Sequence, residues 1–491
     1  MSALLAKNAM ANIIQMIFTT ALLLILYKGI SKELGISTLG VWSVILASIS
    51  VVRLSEFGLS ASLVRFVALY AATGKTHLIP SLITTVVVTM FLGFGSLLPI
   101  LYFALNAMLP SIFYGSDLIT AQRLLPYALL SFWISIIGGV ILSALDGMQK
   151  MVVRSRIFMM GQAIFTFFGL IFIKYFDVLG LAYAQLIQGI FLLSCGGIVL
   201  ARVFGKFYIS SYKFSFRILR EIFGYGVTVQ AGVIFMTILD PITKLMIVHD
   251  GGASVAGYFE IANQIVSRIR ALITSANQAV IPHIASIDSH IPNVISNFYK
   301  ENLRVLTFAS LPLFSLIILW AHVFSWLIFD KEEEIFFKIF FVVTIGWMLN
   351  IFSSPAYFIN QGLGEVRKNT VAIGLMVTLN VLLGFIFGYA YGPLGVVISY
   401  AISIGSGSIF LIVLFGLRYK INFKLRYLKG YIWQLIAFGF SCITTSLYLL
   451  EGFSSWYFYI SFVLVNIFII ISSFSHPIFL KIFKKYKIYT I

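Results

Sequence analysis

Seven ionisable residues stand inside long apolar runs of this 491-residue sequence: Arg53, Glu56, Asp240, Lys244, Glu260, Arg268 and Arg270. A charge placed within a lipid-spanning helix costs about 2.5–3.5 kcal/mol or more, so such residues face a partner or a polar cavity. Arg53 and Glu56 are three apart and Asp240 and Lys244 four apart, which puts each pair on one helix face with an ion pair within reach. Arg268 and Arg270 differ by two positions, roughly 200° around a helix, so they point in different directions. Glu260 has no basic residue at helical spacing and reads as an acid free to take up a proton or Na⁺. An eighth charge, Arg65, lies nearer the end of its run, where its long stem can carry the guanidinium to the headgroups. The chemistry available to this set is recognition of an anion: a guanidinium grips phosphate as a planar fork.

Other chemistries find no footing. The six histidines stand singly, none beside a cysteine or carboxylate at metal-ligand spacing, so neither a metal nor a cofactor is expected. Cys195 and Cys442 lie in separate apolar runs and read as free thiols. Gly405-Ser406-Gly407-Ser408 falls within an apolar run and reads as a face for close helix packing. No Walker sequence is present, so ATP hydrolysis by this chain is not expected, and no catalytic residues are assigned.

The elements that must hold these charges follow from composition. The chain is 60% hydrophobic and 10% charged, with mean hydropathy +1.01, whereas a soluble domain carries about 25% charged residues. Most of its surface must therefore face lipid. Only helices or closed barrels satisfy every backbone group there, and continuous runs of about 20 apolar residues select helices. Fourteen spans are expected, near 9–27, 38–63, 79–104, 124–145, 157–175, 179–201, 222–248, 254–283, 303–328, 335–361, 370–391, 394–416, 431–450 and 456–478. The N-terminal run has no small-residue cleavage site and reads as the first span.

The net charge of +17 has its source in the loops. With the N-terminus cytoplasmic, the cytoplasmic segments hold 23 Lys and Arg, among them Lys150, Arg154 and Arg156, against 5 on the opposite side. That bias predicts both termini in the cytoplasm. It also accounts for the basicity without nucleic acid, which is excluded as a partner.

The sequence repeats itself. Gly40 is followed by Arg53 and Gly257 by Arg270, both thirteen residues on, with the copies 217 apart. Gly147 and Gly362 are 215 apart, as are Gly180 and Gly395. Two six-span copies of the same orientation follow, related by an axis along the membrane normal, a plan used by transporters in which substrate passes between the lobes. The expected division is an N-terminal lobe 1–203, a basic linker 204–221, a C-terminal lobe 222–417, and a helix pair with a basic tail, 418–491. Arg53 and Arg270, related by the repeat, are the pair expected to give a central cleft its positive charge.

At this point the residues resemble a known group. Leu39-Gly40-Val41-Trp42-Ser43, then Glu56-Phe57-Gly58-Leu59 and Arg65, look like the second helix of the polysaccharide flippases. These are the O-antigen and capsule repeat-unit (Wzx-type) translocases of the multidrug/oligosaccharidyl-lipid/polysaccharide exporter superfamily. Gly257-Tyr258 through Pro282 resembles their eighth helix, and Asp146-Gly147-Met148-Gln149 their turn after helix four. The resemblance implies an all-α, MATE-like, V-shaped pair of lobes in the bacterial inner membrane. It implies translocation of an undecaprenyl-pyrophosphate-linked oligosaccharide by alternating access, for O-antigen or capsule biosynthesis. Membrane lipids, the polysaccharide polymerase machinery, and H⁺ or Na⁺ as coupling ion are the partners it suggests.

Three other readings stay open on the residues. Glu260 without a basic neighbour would suit a cation or drug antiporter of the same superfamily. A lipid II flippase would share the helix plan and the anionic lipid cargo. A membrane glycan polymerase or ligase would need a larger extracytoplasmic loop than the one near 105–123, which carries only Asp117 and Arg123.

Overall fold

The computed structural model describes residues 2–51, 58–204, 213–278, 292–421, 431–451 and 456–474. Every regular element among them is helical: α1 (Ser2–Glu33), α2 (Ile36–Ser50), α3 (Leu59–Ala72), α4 (Ile79–Met108), α5 (Gly115–Gly147), α6 (Met151–Phe176), α7 (Leu179–Phe204), α8 (Phe216–Gln278), α9 (Pro292–Leu319), α10 (Ala321–Phe329), α11 (Glu334–Gly362), α12 (Val366–Arg418), α13 (Ile432–Glu451) and α14 (Trp456–Phe474). Eight of the described helices are long and apolar enough to cross a membrane. Their exposed apolar side chains, such as Phe103 at 71% and Phe385 at 68%, are what a lipid-facing surface requires. The chain is a multi-pass membrane protein.

Two compact units are distinguished by internal packing, Met1–Glu260 and Ile261–Ile491. In the first, α5 and α6 pack on α7, α1 on α6, and α2, α3 and α4 on α5. In the second, α11 packs on α12 and α9 on α11 and α13. The added pair α13 and α14 docks on α9: the Thr445 hydroxyl donates to the Ile318 carbonyl at 3.1 Å, and the Trp320 indole N–H donates to Asn466 at 2.9 Å. Leu319, Ala437, Val465 and Ile469 form the apolar core beneath these bonds.

The repeat is written in the backbone. Residues with φ in the left-handed region recur at the sequence offset: Gly35 with Gly252 (217), and Gly115 with Asp330, Gln149 with Gly364, and Asp177 with Gly392 (each 215). These are the sharp turns between helices, where a right-handed conformation would let the helix run on. Gly252 and Gly392 reverse the chain within α8 and α12, so each of those elements is two helical limbs joined at a glycine. Close approaches recur as well. A Cβ at Gly180 would meet the Phe172 carbonyl and one at Gly395 the Phe387 carbonyl, again 215 apart.

One contact has the reciprocity of a two-fold axis. A Cβ at Gly40 would overlap the Ala253 carbonyl oxygen, and one at Gly257 would lie 2.5 Å from the Ile36 carbonyl oxygen. Gly40 corresponds to Gly257 and Ile36 to Ala253 at the same offset of 217. Where residue i meets j and the counterpart of j meets the counterpart of i, the axis runs through the contact. The contact between α2 and the start of the second limb of α8 is two-fold in this sense, each side being the repeat counterpart of the other.

The second expected span, 38–63, is not one helix. It is divided into α2 and α3, and Gly58 at the start of α3 is left-handed (φ 68°), which cannot continue a right-handed helix. The ninth is likewise divided at Trp320 into α9 and α10. Helix α8 starts at Phe216, inside the stretch expected as linker. Gly405 and Gly407 of the Gly-Ser run do serve close packing: they abut Leu349 and the Ala372 carbonyl.

Candidate functional site

The limbs of α8 place one polar cluster in the first unit. Lys244 stands eight residues before Gly252 and Glu260 eight residues after it, so the hairpin brings them to the same depth, about 12 Å from the turn. The Lys244 ammonium lies 2.5 Å from Glu260 Oε2, and both residues are buried, at 5% and 7% exposure. Tyr27 of α1, eight residues before Gly35 and thus the repeat counterpart of Lys244, donates its hydroxyl to Glu260 Oε1 at 2.8 Å. Asp240 sits one turn before Lys244 on the same face, and its charge also acts on the ammonium. The expectation that Glu260 lacks a basic neighbour is thus overturned. Its partner is reached across the Gly252 turn rather than along one helix.

A second cluster lies in the other unit, on the part of α8 beyond Glu260 with α11 and α12. Arg270 Nε donates to Asn350 Oδ1 at 2.7 Å, and Asn350 Nδ2 donates to the Ser408 hydroxyl at 2.8 Å. Ser408 in turn donates to the Ile404 carbonyl. The guanidinium lies over the Trp347 ring, 4.7 Å from its centroid, where the ring's negative face attracts it. That ring is itself fixed: its N–H donates to Asn263 Oδ1 at 2.8 Å, and the Tyr400 hydroxyl donates to the same oxygen at 3.2 Å. Every one of these partners is neutral, and among the described residues no carboxylate pairs with Arg270. The guanidinium is thus oriented through Nε at one edge and through the ring at its face.

The remaining expected site residues are dispersed. Arg53 and Glu56 lie outside the described residues. Arg65 is exposed on α3, its guanidinium 5.9 Å from the centre of the Phe66 ring, as a side chain reaching for headgroups would be. Arg268 is half-buried two residues from Arg270. The residues that complete both clusters carry no formal charge and escaped a search for intramembrane ions: Tyr27 in one, Asn263, Trp347, Asn350, Tyr400 and Ser408 in the other. A search for amides inside apolar runs would have found Asn350, and the repeat offset points from Lys244 to Tyr27.

An internally repeated bundle of apolar helices, with buried polar clusters, defines a class of multi-pass membrane proteins. Solved structures share the fold. An inward-facing multidrug resistance MATE family transporter of the MOP superfamily superposes with a TM-score of 0.69 at 17% identity, over 82% of this chain and 94% of that one. The lipid II flippase MurJ, in an inward closed conformation, matches with a TM-score of 0.67 at 16% identity, over 98% of this chain and all of that one. A MOP superfamily transporter from Pyrococcus furiosus matches at 0.58 and 16% identity, over 84% and 96%. No curated protein matches the sequence. A family model described as polysaccharide biosynthesis protein matches residues 5–288, more than half of the chain. This protein belongs to that family.

Proposed function

We propose that the protein flips an undecaprenyl-pyrophosphate-linked oligosaccharide from the cytoplasmic to the outer leaflet of the bacterial inner membrane, for O-antigen or capsule biosynthesis. The observation that carries this reading is Arg270 in a cradle of neutral partners. Arg270 lies 18 residues past Gly252, about 27 Å of helix from the outer turn. In a hydrocarbon core about 30 Å thick, that depth is close to the cytoplasmic leaflet, where a pyrophosphate headgroup would be collected. Arg53, its repeat counterpart, would supply the second guanidinium. The cargo's diphosphate would exchange its hydration for the two forks, and rocking of the repeats would then expose it to the other side.

The match to a flippase along nearly the whole chain, α13 and α14 included, fits this reading. So does the loss of the lone-acid argument for an antiporter, since Glu260 is paired with Lys244. The test is to delete the gene and identify the lipid-linked sugar that accumulates inside, then complement with Arg270→Lys and Arg270→Glu. Lys keeps the charge but not the fork, so it should lower flipping by about tenfold or more, equivalent to about 1.4 kcal/mol. Glu should abolish flipping while the protein still inserts. Normal export with Arg270→Glu, or accumulation of lipid II instead, would sink the proposal.

A further inference from the structure

Between α2, the outer end of α4 and the first limb of α8, the first unit encloses a cavity of about 300 Å³. Val44, Ile45 and Ser48 form one wall, Met108 and Leu109 a second, and Leu245 part of a third. Ser48 is the one polar residue among the described lining residues. Protein interiors hold few voids larger than a water molecule, and a cavity of this size is that of a ligand pocket. Water does not fill it, because an apolar wall offers none of the two to four hydrogen bonds that a buried water needs.

The mouth identifies the occupant. Met108 lines the cavity and is 51% exposed. On the same helix Ile100 and Phe103 are 63% and 71% exposed, within an apolar span, so they face the bilayer. The cavity is therefore continuous with the lipid-facing surface, where phospholipid acyl chains are the hydrocarbon present in greatest excess and mass action favours them. The geometry points to a binding site for one acyl chain of a membrane phospholipid, entering past Met108 and ending against Ile45 and Leu245. Its lining shares no residue with the Arg270 cluster, and the assignment does not depend on the cargo.

The test uses the full-length protein in vesicles of phosphatidylethanolamine and phosphatidylglycerol, doped with a phospholipid bearing a diazirine at its acyl terminus. After irradiation, adducts are mapped by mass spectrometry. The expected pattern is labelling of Leu109 or Leu245 in addition to the lipid-facing Phe103. Val44→Phe fills the cavity and should cut the inner adducts roughly tenfold, because overpacked volume excludes the chain, while Phe103 labelling is unchanged. Ile242→Phe, from the opposite wall, serves as a second filler should Val44→Phe fail to fold. Labelling confined to lipid-facing residues in the wild type overturns the assignment, as does inner labelling that survives a folded filler. Displacement of the inner adducts by an equimolar polyprenyl phosphate would reassign the site to an isoprenoid chain.

Discussion

Lys244 and Glu260 are close and buried, yet a buried ion pair is weak evidence for stability. Desolvating both charges offsets most of their attraction, whereas removing one partner strands the other. Lys244→Met alone should therefore destabilise the protein by about 3–5 kcal/mol, and Lys244→Met with Glu260→Leu should recover most of that loss. Reversible unfolding in bicelles, read as a double-mutant cycle, measures the coupling. Additive losses in the two single mutants would mean that Tyr27 and Asp240 hold each charge independently of the pair. At this scale the sequence was half legible. It showed which charges lie in the membrane, but neighbours sought at helical spacing assign Lys244 only to Asp240. The contact with Glu260 depends on a reversal at Gly252, and the cradle of Arg270 is built from neutral side chains that raise no electrostatic signal.

The glycines of the repeat act between elements. Gly40 and Gly257 let α2 and the second limb of α8 meet backbone to backbone, so any Cβ there collides with a carbonyl that no rotamer change can move. Gly40→Ala and Gly257→Ala should each destabilise by about 1–3 kcal/mol, by similar amounts because the contact is reciprocal. Gly139 in α5 has nothing within 4 Å of the corresponding point. There Gly→Ala should instead stabilise by about 0.4–1 kcal/mol, through the lower backbone entropy of the unfolded chain. Thermal unfolding of the three purified variants in one detergent checks both signs. The repeat that predicts this symmetry was readable from three pairs of glycines at offsets of 217 and 215. The division of the second span into α2 and α3 was not, because hydropathy is blind to φ: residues 36–50 and 59–72 form one apolar stretch until Gly58 turns left-handed.

For the whole molecule, the family match covers residues 5–288, so it embraces the first copy, the α2–α8 contact and Arg270. Fold class was legible because lipid leaves the backbone few options, and 60% apolar composition with long uninterrupted runs admits only helices. Direction in the membrane is a different quantity, set by loop charge rather than by packing. The short turn at Lys150 and the start of α6, with Arg154 and Arg156, carry three basic residues, whereas the turn between α10 and α11 has Lys331 amid Asp330, Glu332 and Glu333. If the positive-inside bias governs, the first turn is cytoplasmic and the second extracytoplasmic. With Cys195 and Cys442 replaced by alanine, Lys331→Cys should react with a membrane-impermeant maleimide in intact cells, and Lys150→Cys only after permeabilisation. If Arg270 takes the cargo's headgroup as proposed, the same outcome bears on the leaflet from which it collects, because residue 270 lies about 27 Å of helix from the Gly252 turn. Labelling of Lys150→Cys in intact cells would invert the molecule and with it the direction in which a lipid-linked glycan could be collected.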